Sequence, residues 1–528
     1  MPLVLDRKSL GDAVRGDLAV VRTGRGRAKV DHVLGKADDI EVVLEGLLVH
    51  TGARVERYEP NVEPDDTGPR VDLRDLPTFT IDPETAKDFD DALSVQEEDG
   101  GYRAWVHIAD VSAFVAAGSP LDRGAAERAF TTYVPGRAAP MLPPELADDR
   151  CSLRPHEDRL CVTVELPPKG EPQFYRSVIR SDARLTYGQA ERREAEPGIA
   201  AALERTDRLT AAIRERRFAR GALRIESPEI TFEFDGHGSV ARAWKESEPT
   251  SHRLVEELMI AANEAVARLL SSRRREALYR VHERPDPQAI ELLLKKLADL
   301  DVPTPPAPKD LTPQLAAEVA AATSERVMEY VAQSGRGREA FPSLVLRSLK
   351  QARYHPENLG HSGLASTAYC HFTSPIRRYP DLVVHRALVR ELGLGSDAPP
   401  AGLDELAVHT SEREREAAQV EYLADELCLA WLLDDTLFER GWDEPFEGEI
   451  VGMIGAGLFV RFGEVFEGFL PARRLAGDYF ELNELGTGLV GRRAGGTYRL
   501  GDEIEVLVEK IEKTDGKIEL SPARRTRK

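Results

Sequence analysis

The sequence predicts an α+β protein of several domains: a large mixed α/β core, a small β/α module ahead of it and a five-stranded barrel behind it. Three observations predict this. A chain of 528 residues exceeds what one hydrophobic core usually organises, and its 41% apolar content is enough for several. Between residues 76 and 440, strand-like runs mix with long apolar-periodic segments at Arg253 to Leu270 and Glu412 to Leu433. From 444 to 521 the pattern changes to short alternating runs punctuated by glycine.

Residues 1–60 form the first module: strand runs Asp17 to Val21 and Lys29 to Leu34 joined through Gly24-Arg25-Gly26-Arg27, then an amphipathic helix near Asp39 to His50. The basic turn reads equally as a nucleic-acid-touching loop and as an ordinary hairpin turn. A Pro- and Asp-rich linker, 61–75, leads into the core. Within the core, the proline-dense stretch 301–309 reads as a surface loop and not a domain break. The last module, 444–521, holds five strand runs: Phe446 to Ile450, Gly457 to Phe462, Glu467 to Leu470, Gly501 to Val506 and Lys517 to Leu520. Five such strands suggest a small barrel of the OB type. There Phe459, Arg461 and Phe462 make an aromatic-plus-cation surface on which single-stranded bases stack, and alternation places one ring in the core and one outside. A basic tail, 522–528, follows.

Net charge is −20, which argues against indiscriminate binding of polyanions, yet residues 1–36 hold eight Lys/Arg against four Asp/Glu and the tail is basic. No run approaches the length of a membrane span and the amino terminus lacks a signal-peptide layout, so a cytoplasmic protein with no membrane partner is expected. Cys151, Cys161, Cys370 and Cys428 form no CxxC pair and read as small buried hydrophobes. Histidines such as His107, His355, His361 and His371 lack ligand spacing, so no zinc site is expected.

Chemistry concentrates at two places. Asp82, Asp88, Asp90 and Asp91 crowd four carboxylates where the run Thr78 to Ile81 becomes a loop, with Ala92 to Val95 following and Tyr102 to Ile108 returning after Asp99-Gly100-Gly101. An isolated D-x-D-D reads first as a solvated turn. Held on a hairpin edge, the same acids call for a hard divalent ion, magnesium or alternatively manganese. Second, Arg377 and Arg378 follow a proline-stiffened turn in HFTSPIRRYPD, where guanidinium groups can grip phosphate.

TIDPETAKDFDDAL at 80–93, AFTTYVPGRAAPMLP at 129–143, SHRLVEELMIAAN at 251–263 and HFTSPIRRYPDLVVHR at 371–386 together resemble the RNase II/RNase R (RNB) family of exoribonucleases, in that family's order. The resemblance covers residues 76–521, with 76–440 as its RNB catalytic domain and 444–521 as the RNA-binding barrel named for ribosomal protein S-one. It implies that Asp82, Asp88, Asp90 and Asp91 hold metal, with Asp90 the most sensitive. It further implies that Tyr133 stacks on RNA, that Tyr187 packs against the terminal nucleotide, that Arg377 contacts the scissile phosphate and that Glu421 supports the centre from a helix. Glu421 has the like-charged Asp425 four residues on, a pair that a nearby arginine or metal makes tolerable.

Some features depart from the family. Only 81 residues precede Asp82, too few for the two cold-shock barrels usual there, so the first module is expected to be a partial cold-shock-like or winged-helix unit. Pro285 and Ser362 stand where aromatic residues are common in the family, which bears on the RNA path. The expected activity is hydrolytic 3′-to-5′ degradation of mainly single-stranded RNA with a free 3′ end to nucleoside 5′-monophosphates, by a monomer with partial tolerance of structured RNA. A catalytically inert RNA-binding or chaperone protein is the alternative from another class, and a metal phosphatase or DNA nuclease is a third reading.

Overall fold

The computed structural model describes residues 8–24, 27–53, 62–64, 68–98, 100–225, 229–235, 238–245, 250–395, 400–475, 478–493 and 495–523. The tip of the GRGR turn, residues 54–61, residues 65–67 of the linker and the basic tail 524–528 lie outside the described residues.

The first module is an antiparallel hairpin, Asp17–Gly24 with Arg27–Lys36, followed by helix α1 (Ile40–His50). Asp39 starts the helix by accepting the Glu41 N–H at 2.9 Å. Ile40, Leu44 and Leu48, one i, i+4 stripe, are buried against Val420, Ala424 and Leu427 far along the chain.

A seven-stranded mixed sheet forms the centre. Its spatial order is Ala183–Thr186, Phe79–Asp82, Asp91–Glu98, Gly101–Ala109, Asp158–Leu166, Gln173–Arg180 and Val71–Asp72. The first and last pairs in that order are parallel and the others antiparallel. Both faces are covered, which is why Phe79 to Ile81 and Ala92 to Val95 are buried as continuous runs. The acids thus sit at the ends of two interior strands, not on an edge, because a later strand, Ala183–Thr186, pairs outside Phe79–Asp82.

The further helices, in chain order, are α2 (Pro120–Arg128), α3 (Tyr187–Arg192), α4 (Pro197–Ala219), α5 (Thr250–Ser272), α6 (Pro287–Asp299), α7 (Pro313–Ser334), α8 (Ala340–Arg347), α9 (Tyr379–Glu391) and α10 (Leu403–Arg440). Side chains of α4, α5 and α9 pack on one face with Phe79, Leu93 and Val106. The segment around Val111 to Leu153 covers the other. Residues 76–440 do not share one core, however. Helices α6 to α8 build their own around Ile290, Leu297, Val319 and Phe341, joined by Leu500 from the last module. The proline-dense stretch 301–309 lies between α6 and α7, whose side chains share that core.

The last module contains a closed five-stranded barrel, Phe446–Ile454, Gly457–Phe462, Phe466–Pro471, Lys517–Pro522 and Glu503–Glu512 in spatial order. A small sheet of Phe480–Leu482, Gly488–Gly491 and Thr497–Arg499 is inserted within it; its runs are too short to announce themselves by alternation. Leu433 and Leu437 of α10 enter the barrel core, so this 38-residue helix links the first module, the centre and the barrel. Gly516, at φ +66°, lets the last barrel turn touch α10: a Cβ there would lie 3.0 Å from the Glu426 backbone.

Candidate active site

Two strand ends and one loop bring the acids and the arginine together. Asp82 closes one strand and Asp91 opens its neighbour, with Asp88 and Asp90 on the connection between them. The connection is held to the sheet by Arg184, whose guanidinium donates to the Pro83 carbonyl and, at 3.0 Å, to that of Glu84 while lying over the Phe89 ring. Asp90 is 4% exposed. Its Oδ1 accepts the Ile376 N–H at 2.8 Å, and its buried Oδ2 accepts no hydrogen bond among the described residues but faces Arg377 Nε at 3.4 Å. Arg377 itself is exposed and donates to Ser374 Oγ at 3.0 Å.

Burial and mutual repulsion set the electrostatics. Burial raises the Asp82 carboxyl to about 6, with Asp88 adding to the rise and Arg184 and Arg377 opposing it. Asp91 is raised to about 7 by burial and by Asp82. Asp90 is raised well above the carboxylate range by burial, against the pull of Arg377. Three carboxylates that resist ionising alone are a favourable seat for added positive charge.

Tyr133 joins this cluster from the hairpin Thr132–Val134/Arg137–Ala139. Its hydroxyl donates to Asp88 Oδ2 at 2.7 Å, and its N–H donates to Glu421 Oε1 at 2.8 Å. Glu421 therefore reaches the cluster through the Tyr133 backbone, from α10. Burial raises Glu421, and burial with Glu421 and Glu229 raises Asp425 to about 7; Arg377 is the cation that moderates Glu421. Tyr187 begins α3. The register Thr186↔Asp82 sets it just beyond the level of Asp82, and burial with Asp91 and Asp82 pushes its phenol above the ordinary range.

Two expected RNA contacts are otherwise engaged. Arg378 donates two hydrogen bonds to Asp381, at 2.9 and 2.8 Å, and is a structural cation within the turn. Arg461 pairs with Glu467 at 2.8 Å and with Glu339 at 3.3 Å, tying the barrel to the start of α8. As alternation predicts, Phe462 lies in the barrel core and Phe459 outside it, half-buried beside Phe469 with ring centroids 5.2 Å apart.

Other residues act through these. Asp381, fully buried in the first turn of α9, accepts the Ser374 N–H at 2.8 Å as well as Arg378, fixing the turn that aims Arg377. Asn263 of α5 accepts the Phe372 N–H at 2.9 Å and donates to Tyr369 Oη at 3.1 Å, anchoring the same segment. Both lie inside motifs singled out above, but only the fold reveals what they hold. Two of the histidines singled out above have partners within the chain: His107 is buried between Ser94 and Thr163, and His371 Nδ1 meets Tyr354 Oη at 2.7 Å. The four cysteines are free and buried.

Among the described residues, no group of three or more His, Cys, Asp or Glu side chains forms a finished metal cage. The donors nevertheless suit magnesium, which takes one or two carboxylates and completes its shell with water and substrate phosphate oxygens. Asp90 Oδ2, unclaimed by any hydrogen bond, is such a donor. Among the described residues, no helix is long and apolar enough to cross a membrane.

The sequence matches the RNB domain family over residues 70–393 and the S1 RNA binding domain family over 442–522. Ribonuclease R of Escherichia coli (strain K12) is 37% identical over 484 residues, covering 86% of this chain and 57% of that protein. Thus the chain spans little more than half the length of that relative. Ribonuclease R of Aquifex aeolicus (strain VF5) is 33% identical over 552 residues, covering 98% and 76%. The structure of Mycoplasma genitalium RNase R in complex with ribose methylated single-stranded RNA aligns with a TM-score of 0.88 at 25% identity, covering 98% of this chain and 85% of that one.

Proposed function

From the chain's membership of the RNase II/RNase R family, to which it belongs by its RNB domain, we propose that it is an exoribonuclease. It hydrolyses mainly single-stranded RNA from a free 3′ end and releases nucleoside 5′-monophosphates in the cytoplasm. The observation that carries this reading is the buried, unclaimed Asp90 Oδ2 set 3.4 Å from an exposed arginine.

Asp82, Asp88, Asp90 and Asp91 would hold the divalent cation, magnesium or manganese. When bound, such ions polarise the attacking water and stabilise the departing oxygen. The remaining roles fall to the chain. Arg377, kept in place by Ser374, offsets charge on the phosphate oxygens during displacement. Glu421 fixes Tyr133, which orders Asp88 and offers its ring to RNA. Tyr187 packs against the terminal nucleotide. Water adds to phosphorus as the bond to the upstream 3′ oxygen breaks, and that oxygen leaves with a proton.

End-labelled single-stranded RNA incubated with magnesium tests the reading. Mononucleotides accumulate if it holds. A shifted but uncut band would mark an inert RNA binder, and equal cleavage of DNA would mark a nuclease that does not select ribose.

A further inference from the structure

His252 lies in SHRLVEELMIAAN, a motif whose polar start has no role in the chemistry derived so far. It sits in the first turn of α5, which is bolted to α3. The Ser251 hydroxyl donates to the Tyr187 carbonyl at 2.9 Å, and the Ser251 N–H donates to Glu191 at 2.9 Å. The His252 ring consequently lies against Tyr187, centroids 5.2 Å apart and planes inclined by 50°. Both rings are half-buried. Tyr187 in turn stands beside Asp82 and Asp91, so His252 is one ring removed from the acid cluster.

Among the described residues, the imidazole takes part in no hydrogen bond or ion pair, and its Nδ1 is turned away from water without a partner. In either tautomer that nitrogen has one hydrogen bond to give or accept. Apolar side chains pack on tyrosine rings without this cost, so a histidine here has a use that the folded chain does not satisfy. Rotation about Cβ–Cγ, a broad torsion, exchanges the two ring edges and brings either nitrogen toward whatever rests on Tyr187.

We infer that His252 is a specificity-determining contact, hydrogen-bonding a polar group of the terminal nucleoside that Tyr187 packs against. This inference rests on the exoribonuclease reading. The hydrogen-bonded group belongs to the base or to the ribose, and substrates lacking one or the other tell them apart.

The test compares wild type, His252→Phe and His252→Gln on a single-stranded RNA 12-mer and on versions whose terminal nucleotide is abasic, 2′-deoxy or both. Phenylalanine keeps the ring packing and removes the nitrogens; glutamine restores a polar group. On unmodified RNA, H252F is expected to lose about five- to tenfold in kcat/KM, with H252Q recovering part of it. The loss disappears on the abasic end if the base is contacted, or on the 2′-deoxy end if the ribose is. Either supports the inference. Wild-type kcat/KM in H252F, or an equal loss on every substrate including the doubly modified one, overturns it. Failure of wild type to degrade RNA would instead sink the exoribonuclease reading, and this inference with it.

Discussion

The acid cluster and the barrel face both gather charge, but they use it differently. Around Asp90, a buried carboxylate oxygen is left without a hydrogen bond and the nearby arginine stays exposed. On the barrel, Arg461 is consumed by Glu467 and Glu339, and the charge serves to join two modules. The same contrast separates neighbours in one turn: Arg377 points outward, while Arg378 is clamped by Asp381. A charged residue near a site is available for chemistry only when the fold has left it without a sufficient partner.

The sharpest way to break that contrast is Asp90→Asn. It removes charge where charge is unspent, so turnover should fall by about three orders of magnitude while RNA affinity, measured by fluorescence anisotropy, barely moves. A mutant with full turnover would place the unspent charge elsewhere. Next comes Asp381→Ala, which strands the Arg378 guanidinium and the Ser374 N–H. A loss of about 3 kcal/mol in urea unfolding is expected, with reduced turnover as Arg377 loses its aim.

A smaller effect comes from His107 beneath the cluster. Burial depresses it to about 3 from 6.5, so below pH 6.5 the unfolded chain takes up a proton that the folded chain refuses. Its contribution is present above pH 6.5 and is lost as pH falls toward 3, costing about 2 kcal/mol at pH 5. Urea midpoints of wild type and His107→Gln should therefore converge between pH 7.5 and pH 5. Smallest is Arg461→Gln: its pairs are part-exposed, so stability should change by less than about 1 kcal/mol and RNA affinity by less than about twofold. A tenfold loss of RNA binding would show that Arg461 abandons its carboxylates for RNA.

Much of this was legible in the sequence. The five barrel strands, the helix after Asp39 and the long helix through Glu421 follow from local alternation and periodicity. The acid cluster was legible because its four carboxylates fall where one strand-like run ends and the next begins. What could not be read was pairing across long separations. Nothing local says that Arg461 meets Glu339, or that Glu421 reaches the centre through the backbone of Tyr133. Nor does periodicity reveal that α6 to α8 own a separate core, since each apolar stripe states that it is buried but not against what.

The central claim is that the carboxylates and Arg377 direct water onto the terminal phosphodiester, and degradation of RNA in water enriched in oxygen-18 with magnesium tests it most directly. Mass spectrometry of the released nucleotides should find one heavy oxygen in the phosphate of each nucleoside 5′-monophosphate. Monophosphates without the label, or nucleoside diphosphates formed when inorganic phosphate is added, would contradict it.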